Sequence, residues 1–301
     1  MSTVAEPGAN RHVSSIAERG AGRFRIPFLL MLPAFVVLGF FFVAPYLNLL
    51  YMSFMTHTPS AAYVNQPTFE NYGETLGDAF VWRVTWETLQ LGFITTIATL
   101  ILSYPLAFHM ARASSRVKGL LMIMLLAPLL VGIVIRTYGW IILLADNGLI
   151  NQLATSLDIG PFQLMYNKTG VMIGLIHIYM PFMVLSILGS LQAIDPDLER
   201  AARSLGAGSW RAFRRVTWPL SLPGVTSGAV LVFVLTVSAY VTPSLLGGYR
   251  VLTVPLLVVQ TVQELFNWPL GSALAIVFFV ITIAIVGVYL KLMDWVMKGV
   301  Q

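Results

Sequence analysis

Cysteine is absent from the 301 residues, which excludes structural disulfides and thiolate metal sites. Charge is scarce too. Only 10% of the residues are Asp, Glu, Lys or Arg, against about 25% in soluble domains. With 57% hydrophobic residues and a mean hydropathy of +0.80, a water-soluble fold could not hide the apolar surface of this chain. No Gly-Lys-Ser/Thr phosphate loop occurs, so the sequence offers no motif for binding or hydrolysing ATP. The four histidines, His12, His57, His109 and His177, are scattered. The clustered catalytic set that a membrane-embedded enzyme needs is therefore missing.

What is abundant is apolar sequence in long runs. Crossing a hydrocarbon core of about 30 Å takes roughly 20 apolar residues. Six segments reach that length: Ile26–Met52, Thr88–His109, Gly119–Leu144, Gly170–Leu191, Pro223–Leu246 and Gly271–Met293. They predict an all-α membrane protein with six transmembrane helices. Thr95 and Thr96 dilute the second segment, and Tyr104-Pro105 interrupts its end. The first run is longer than the 7–15 or so apolar residues of a signal peptide. No small-residue cleavage site follows it directly, so it is read as a retained helix.

The basic residues set the orientation. Arg11, Arg19, Arg23 and Arg25 precede the first segment, and Arg112, Arg116 and Lys118 follow the second. Arg200, Arg203, Arg211, Arg214 and Arg215 follow the fourth, and Lys291 and Lys298 close the chain. Only Arg83, Arg136, Lys168 and Arg250 fall on the other side. The basic side is expected to be cytoplasmic, with both termini inside. The net charge of +5 is thus a topology signal, not a nucleic-acid signal. Residues 1–25 read as a flexible cytoplasmic tail, and 26–301 as the transmembrane domain. The opposite loops carry Glu70, Glu74, Asp78, Asp146, Asp158 and Glu264, with turn chemistry at Asp146-Asn147-Gly148 and Gly247-Gly248.

Residues 193–222 form a patterned connection. Asp195 can cap a helix, Pro196 suits its first position, and Asp197 and Glu199 favour its positive end. Leu198, Ala201, Ala202 and Leu205 recur at helical spacing and make an apolar stripe, with Glu199, Arg200 and Arg203 away from it. Gly206 stops that helix. Ser209 can cap a second, in which Trp210, Phe213 and Thr217 share a side and Arg211, Arg214 and Arg215 lie elsewhere. On these residues alone two uses stand open: resting on anionic lipid headgroups, or docking on a protein.

The same stretch resembles the signature of permease subunits of binding-protein-dependent ABC importers. That signature is Glu-Ala-Ala, three residues, Gly, nine residues, then Ile-x-Leu-Pro. Here it stands as Arg200-Ala201-Ala202, three residues, Gly206, nine residues, then Val216-Thr217-Trp218-Pro219. Two positions depart: Arg200 replaces the acid, with Glu199 one residue early, and Trp218 replaces the leucine. Either Glu199 takes over the acidic role or the ATPase contact differs. Further stretches resemble the spermidine/putrescine branch, among them Ile135-Arg136-Thr137-Tyr138-Gly139-Trp140 and Ser238-Ala239-Tyr240-Val241-Thr242-Pro243.

The resemblance implies the type I ABC importer permease fold and a coupling helix seated in a groove of an ATPase subunit. The residues implied for coupling are Glu199, Arg200, Ala201, Ala202, Arg203, Gly206, Arg211, Arg214 and Pro219. It also implies a second homologous permease subunit, two ATPase subunits and an extracytoplasmic binding protein. ATP and Mg are held by the ATPase, and this chain binds no cofactor or metal. A polyamine such as spermidine or putrescine is the implied solute. Another small solute, such as an organic anion, a phosphonate or an amino-acid derivative, is the alternative.

Polar groups inside a span are costly in lipid and mark pathways. The pathway candidates are Glu87, Arg136, Tyr138, Trp140, Tyr240 and Thr242. Arg136 has a plainer reading as a partner of Asp146, His177 as a bonded bundle histidine, and Tyr138 and Trp140 as an interfacial belt. Aromatic faces and carboxylates suit a polyamine, with Glu87 or Glu264 as the anion, yet no acid sits mid-span. An ion-coupled secondary transporter is expected to show inverted repeats and broken helices with buried acids; neither is legible in the sequence.

Overall fold

The computed structural model describes residues 25–298. The tail read over 1–25 lies outside the described residues, except Arg25. The chain divides into two compact units, 1–52 and 53–301. The described part of the first is one helix, α1 (Arg25–Ser53), with Pro33 and Pro45 inside it. It carries no charged residue after Arg25 and is apolar on every side, as a lipid-embedded helix is.

The second unit opens with a hairpin, β1 (Met55–Thr58) paired antiparallel with β2 (Ala61–Pro67), and a short helix, α2 (Glu70–Gly77). Buried Asn71 donates to the carbonyls of Ser53 (3.0 Å) and Met55 (2.9 Å), tying α2 to the hairpin. Then follows α3 (Ala79–Arg112), which starts where the Asp78 carboxylate accepts from the amide of Phe80. It is longer than expected and runs straight through Pro105. Proline is tolerated there because it sits in a packed bundle.

Two expected spans are broken. The stretch 119–144 is two helices, α4 (Ser115–Leu126) and α5 (Ile133–Leu144), separated by a 3₁₀ turn at Ala127–Leu130. Pro128 removes a donor at that turn. Beyond α5, the turn at Asp146–Gly148 leads into α6 (Leu149–Ser156), and the long apolar segment here is Ile133–Ser156. Next come α7 (Lys168–Ala193) and the loop helices α8 (Pro196–Ser204) and α9 (Ser209–Ala212). A π-helical turn at Phe213–Thr217 leads into α10 (Trp218–Val237).

The expected span 223–246 therefore ends at Val237, where the Ser238 hydroxyl folds back onto the carbonyl of Val234 (2.8 Å). A second π turn at Pro243–Gly247 follows. The chain then bends by 82° into α11 (Val254–Gln263). This corrects the expectation of unbroken helices. The break carries hydroxyls and rings rather than acids, so it does not favour an ion-coupled transporter. α12 (Trp268–Lys298) closes the unit, packing on α11, α2 and the hairpin. Among the described residues, six segments are long and apolar enough to cross a membrane, or up to seven if the bent pair is one span.

The core lies where α3, α7 and α10 pack on one another. Leu91, Ala107, Met110, Leu175, Met183, Ile187 and Val232 fill it. Thr88, Thr95, Thr96, Thr99 and Ser103 run down the buried face of α3. The threonines that dilute the segment in sequence are thus packing residues, small enough for close approach. Thr88 donates to the carbonyl of Val84 (2.7 Å) and accepts from the amide of Val254 (2.9 Å), holding the start of α11 on α3. Thr88→Val leaves that buried amide unpaired, a cost of about 1–3 kcal/mol. Hydrogen exchange at Val254 is expected to accelerate accordingly.

Candidate functional site

The loop at 193–222 is a helical pair, as its pattern predicts. The Asp195 carboxylate accepts from the amide of Asp197 (2.9 Å) with Pro196 in the first turn. At the other end Gly206 has φ +85. Its amide bonds to the carbonyl of Arg203 (2.9 Å) and that of Ala207 to Ala202 (3.0 Å). These paired bonds form a Schellman stop, which needs a left-handed residue at the glycine position. The second helix differs from expectation. Gly208, not Ser209, holds the cap position, and no side chain caps it.

The stripe of α8 does not face the bundle. Leu198 is 48% and Leu205 89% exposed, and Ala201 is exposed beside them. Trp210 adds to this surface at 71%. Arg203, Arg211 and Arg214 are exposed around it and form no ion pair among the described residues. Arg200 pairs with Asp197 of its own helix (2.7 Å).

Glu199 turns the other way. Its side chain is only 16% exposed, and its Oε1 takes hydrogen bonds from Arg112, the last residue of α3, and from the Thr217 hydroxyl. Arg112 lies 3.6 Å over the ring of Phe108. The Phe108 ring edges onto Phe213 (5.6 Å), which stacks with Trp210 (5.4 Å). Tyr104 meets Trp218 (5.1 Å), and its hydroxyl bonds to that of Ser221 (2.9 Å). Trp218 therefore stands on a platform supplied by α3. Tyr104, Phe108 and Arg112 are four residues apart and share one helix face. That spacing was readable in the sequence; its pairing with the loop was not. Beside it is a cleft of ≈ 490 Å³ lined by Arg112, Lys118, Gln192, Glu199 and Thr217.

The pathway candidates fall in separate places. Glu87 pairs with Lys168 at the start of α7 (3.4 Å). Trp140 of α5 donates its ring N–H to Nδ1 of His177 on α7 (3.1 Å), so His177 is a bonded bundle histidine. Buried Thr242 meets Thr137 of α5 (3.3 Å). Tyr138 and Tyr240 are exposed. Arg136 forms no ion pair with Asp146; its Nε and one terminal nitrogen are buried without a hydrogen-bond partner among the described residues.

A bundle of membrane-spanning helices with an outward-facing loop pair on one end has the build of a transport permease. The chain belongs to the family of binding-protein-dependent transport system inner membrane components, whose pattern matches residues 19–297. It is similar to the spermidine/putrescine transport system permease protein PotB of Haemophilus influenzae, 32% identical over 84% of this chain and 88% of that one. PotB of Escherichia coli is 31% identical, over 78% and 86%. The fold matches that of a bacterial ABC transporter importing the polysaccharide alginate, at 16% identity with a TM-score of 0.75, covering 92% of this chain and 98% of that one. A MetNI methionine transporter chain matches at 18% identity with a TM-score of 0.52, over 73% and 95%. The family and fold implied by the sequence resemblance are thereby borne out: a multi-pass inner-membrane ABC permease.

Proposed function

We propose that this chain is one of two permease subunits of a polyamine importer, and that residues 193–222 dock on its ATPase. The carrying observation is the exposed stripe of Leu198, Ala201 and Leu205, flanked by Trp210 and the unpaired Arg203, Arg211 and Arg214. An apolar ridge rimmed by cations fits a groove with acidic edges, where Ala201 lets backbones approach. Pro219 starts the span that follows. Both termini lie on the cytoplasmic side with this loop. ATP and Mg are held, and ATP is hydrolysed, in the partner ATPase subunits. Closure of those subunits moves the loop and switches the paired permeases between inward- and outward-facing packings. A binding protein delivers the solute.

The solute assignment is supported by the similarity to the two PotB proteins. The route is assigned to Glu87, Arg136, Tyr138, Trp140, Tyr240 and Thr242. In support, these sit on α3, on α5 and at the break after α10. In cells expressing the whole system, ATP-dependent uptake of labelled spermidine or putrescine is expected. Import of neither, with the binding protein present and competent, would sink the polyamine assignment.

A further inference from the structure

We propose that Glu199, Arg112 and Thr217 form an internal latch that carries movement of the coupling helix α8 into α3. This deepens the docking reading above and rests on it. The acidic residue of the loop then works within the chain, as a positioning residue, instead of across the ATPase boundary.

Four observations converge. Glu199 is the least exposed charged side chain of the ion pairs among the described residues, at 16%. A single carboxylate oxygen receives both Arg112, the end of α3, and Thr217, the last residue of the π turn that leads into α10. Those two helices also pack on each other, so one carboxylate ties α8 to two members of the core. The guanidinium is itself fixed, lying 3.6 Å over Phe108; such a contact adds direction to the ion pair. Phe108 in turn meets Phe213, so the second loop helix is held by the same face of α3. Arg200, by contrast, pairs along its own helix in the open (74% exposed), where an ion pair contributes little.

Arg112 is 42% exposed and Glu199 16%, so removing the arginine leaves the more sheltered carboxylate with the Thr217 hydroxyl alone. On this reading the loop and α3 move together. Glu199→Gln keeps the shape of the side chain and removes its charge. Arg112→Ala removes the partner, and Arg112→Lys keeps the charge but loses the planar fork. None of these changes touches the exposed stripe.

The test uses the complete transporter in proteoliposomes, with ATP hydrolysis and solute uptake measured together. Retention of the ATPase subunits on purification is scored beside them. For Glu199→Gln and Arg112→Ala, retention is expected to match wild type. Solute moved per ATP hydrolysed is expected to fall about 10-fold, within the usual range of coupling free energies. Arg112→Lys is expected to fall between. The reciprocal exchange Arg112→Glu with Glu199→Arg is expected to recover part of the loss, which shows that the pair and not either side chain alone carries it; a merely structural role would lower hydrolysis and uptake together and leave their ratio unchanged. An unchanged ratio in Arg112→Ala would overturn the latch. So would loss of the ATPase from Glu199→Gln alone, which would place the carboxylate at the subunit boundary. Failure of the docking reading is distinct: Arg203→Glu with Arg211→Glu would then leave ATPase retention unchanged.

Discussion

Gly206→Trp is expected to abolish ATP-driven uptake while the chain still reaches the membrane in normal amount. The reasons separate cleanly. A Cβ at Gly206 meets nothing within 4 Å, so the first atom of a side chain has room there. The backbone does not welcome it, since φ is +85, and a non-glycine residue in the left-handed region costs about 1–2 kcal/mol. That cost falls on the turn between α8 and α9, not on the bundle. The indole then projects from the exposed face carrying Leu205, and holds any docked surface away. Gly206→Ala pays the backbone cost without the bulk, and is expected to retain part of the uptake. Uptake, membrane content and ATPase retention measured on the two variants distinguish bulk from strain. Full uptake by Gly206→Trp would remove the loop from the coupling surface.

Gly224→Val should produce a large loss of folded protein. A Cβ at this position lies 2.5 Å from the carbonyl oxygen of Ser186 and 2.7 Å from the Cβ of Ser190. The first of these atoms is backbone and cannot rotate away. The valine therefore pushes α10 off α7, inside the three-helix core. Overpacking a core costs about 1–3 kcal/mol, and here the main chain must move as well. The expected signature is a lower thermal midpoint in detergent and reduced membrane content. Gly287→Val, where a Cβ meets nothing within 4 Å, is expected to leave both unchanged. Equal stability of the two variants would contradict the close helix approach.

Much of this arrangement is legible in sequence, for physical reasons. Apolar length alone gives six spans and places four of them, since lipid imposes one requirement on every crossing helix; those expected at 119–144 and 223–246 are displaced by breaks. The cap at Asp195 and the stop at Gly206 are local chemistry, settled by residues a few positions apart. Three things escape such reading. A stripe such as Leu198, Ala201 and Leu205 looks the same whether it faces the bundle or a partner, because periodicity records a face and not its direction. Breaks at 127–130 and 238–253 are largely hidden when apolar runs continue across them; Pro128, Pro243 and the turn pair Gly247-Gly248 are local hints, and Pro105 offers the same hint inside an unbroken helix. Long-range bonds are hidden altogether. Nothing near Arg112 announces Glu199, 87 residues away, and nothing near Thr88 announces Val254, 166 residues away. Of the pathway candidates, the contacts of Trp140 with His177 and of Thr242 with Thr137 became visible only once α5, α7 and the break were brought together.

Contacts at Glu87–Thr88, in the third turn of α3, and at its last residue give the helix a mechanical character. Thr88 grips α11 and its neighbour Glu87 grips α7, while Arg112 grips the loop. At 1.5 Å per residue, Thr88 and Arg112 stand about 36 Å apart along the axis. A helix clamped this way behaves as a connecting rod. On the proposed latch, its stiffness links the stroke at one end to the response at the other, less whatever Pro105 gives up. Pro105 is the one point where the rod lacks a backbone bond, close to the Arg112 end. Flexing there would shorten the stroke delivered to α11, so the aromatic platform of Tyr104, Phe108, Phe213 and Trp218 that braces that turn also sets how much of each push arrives.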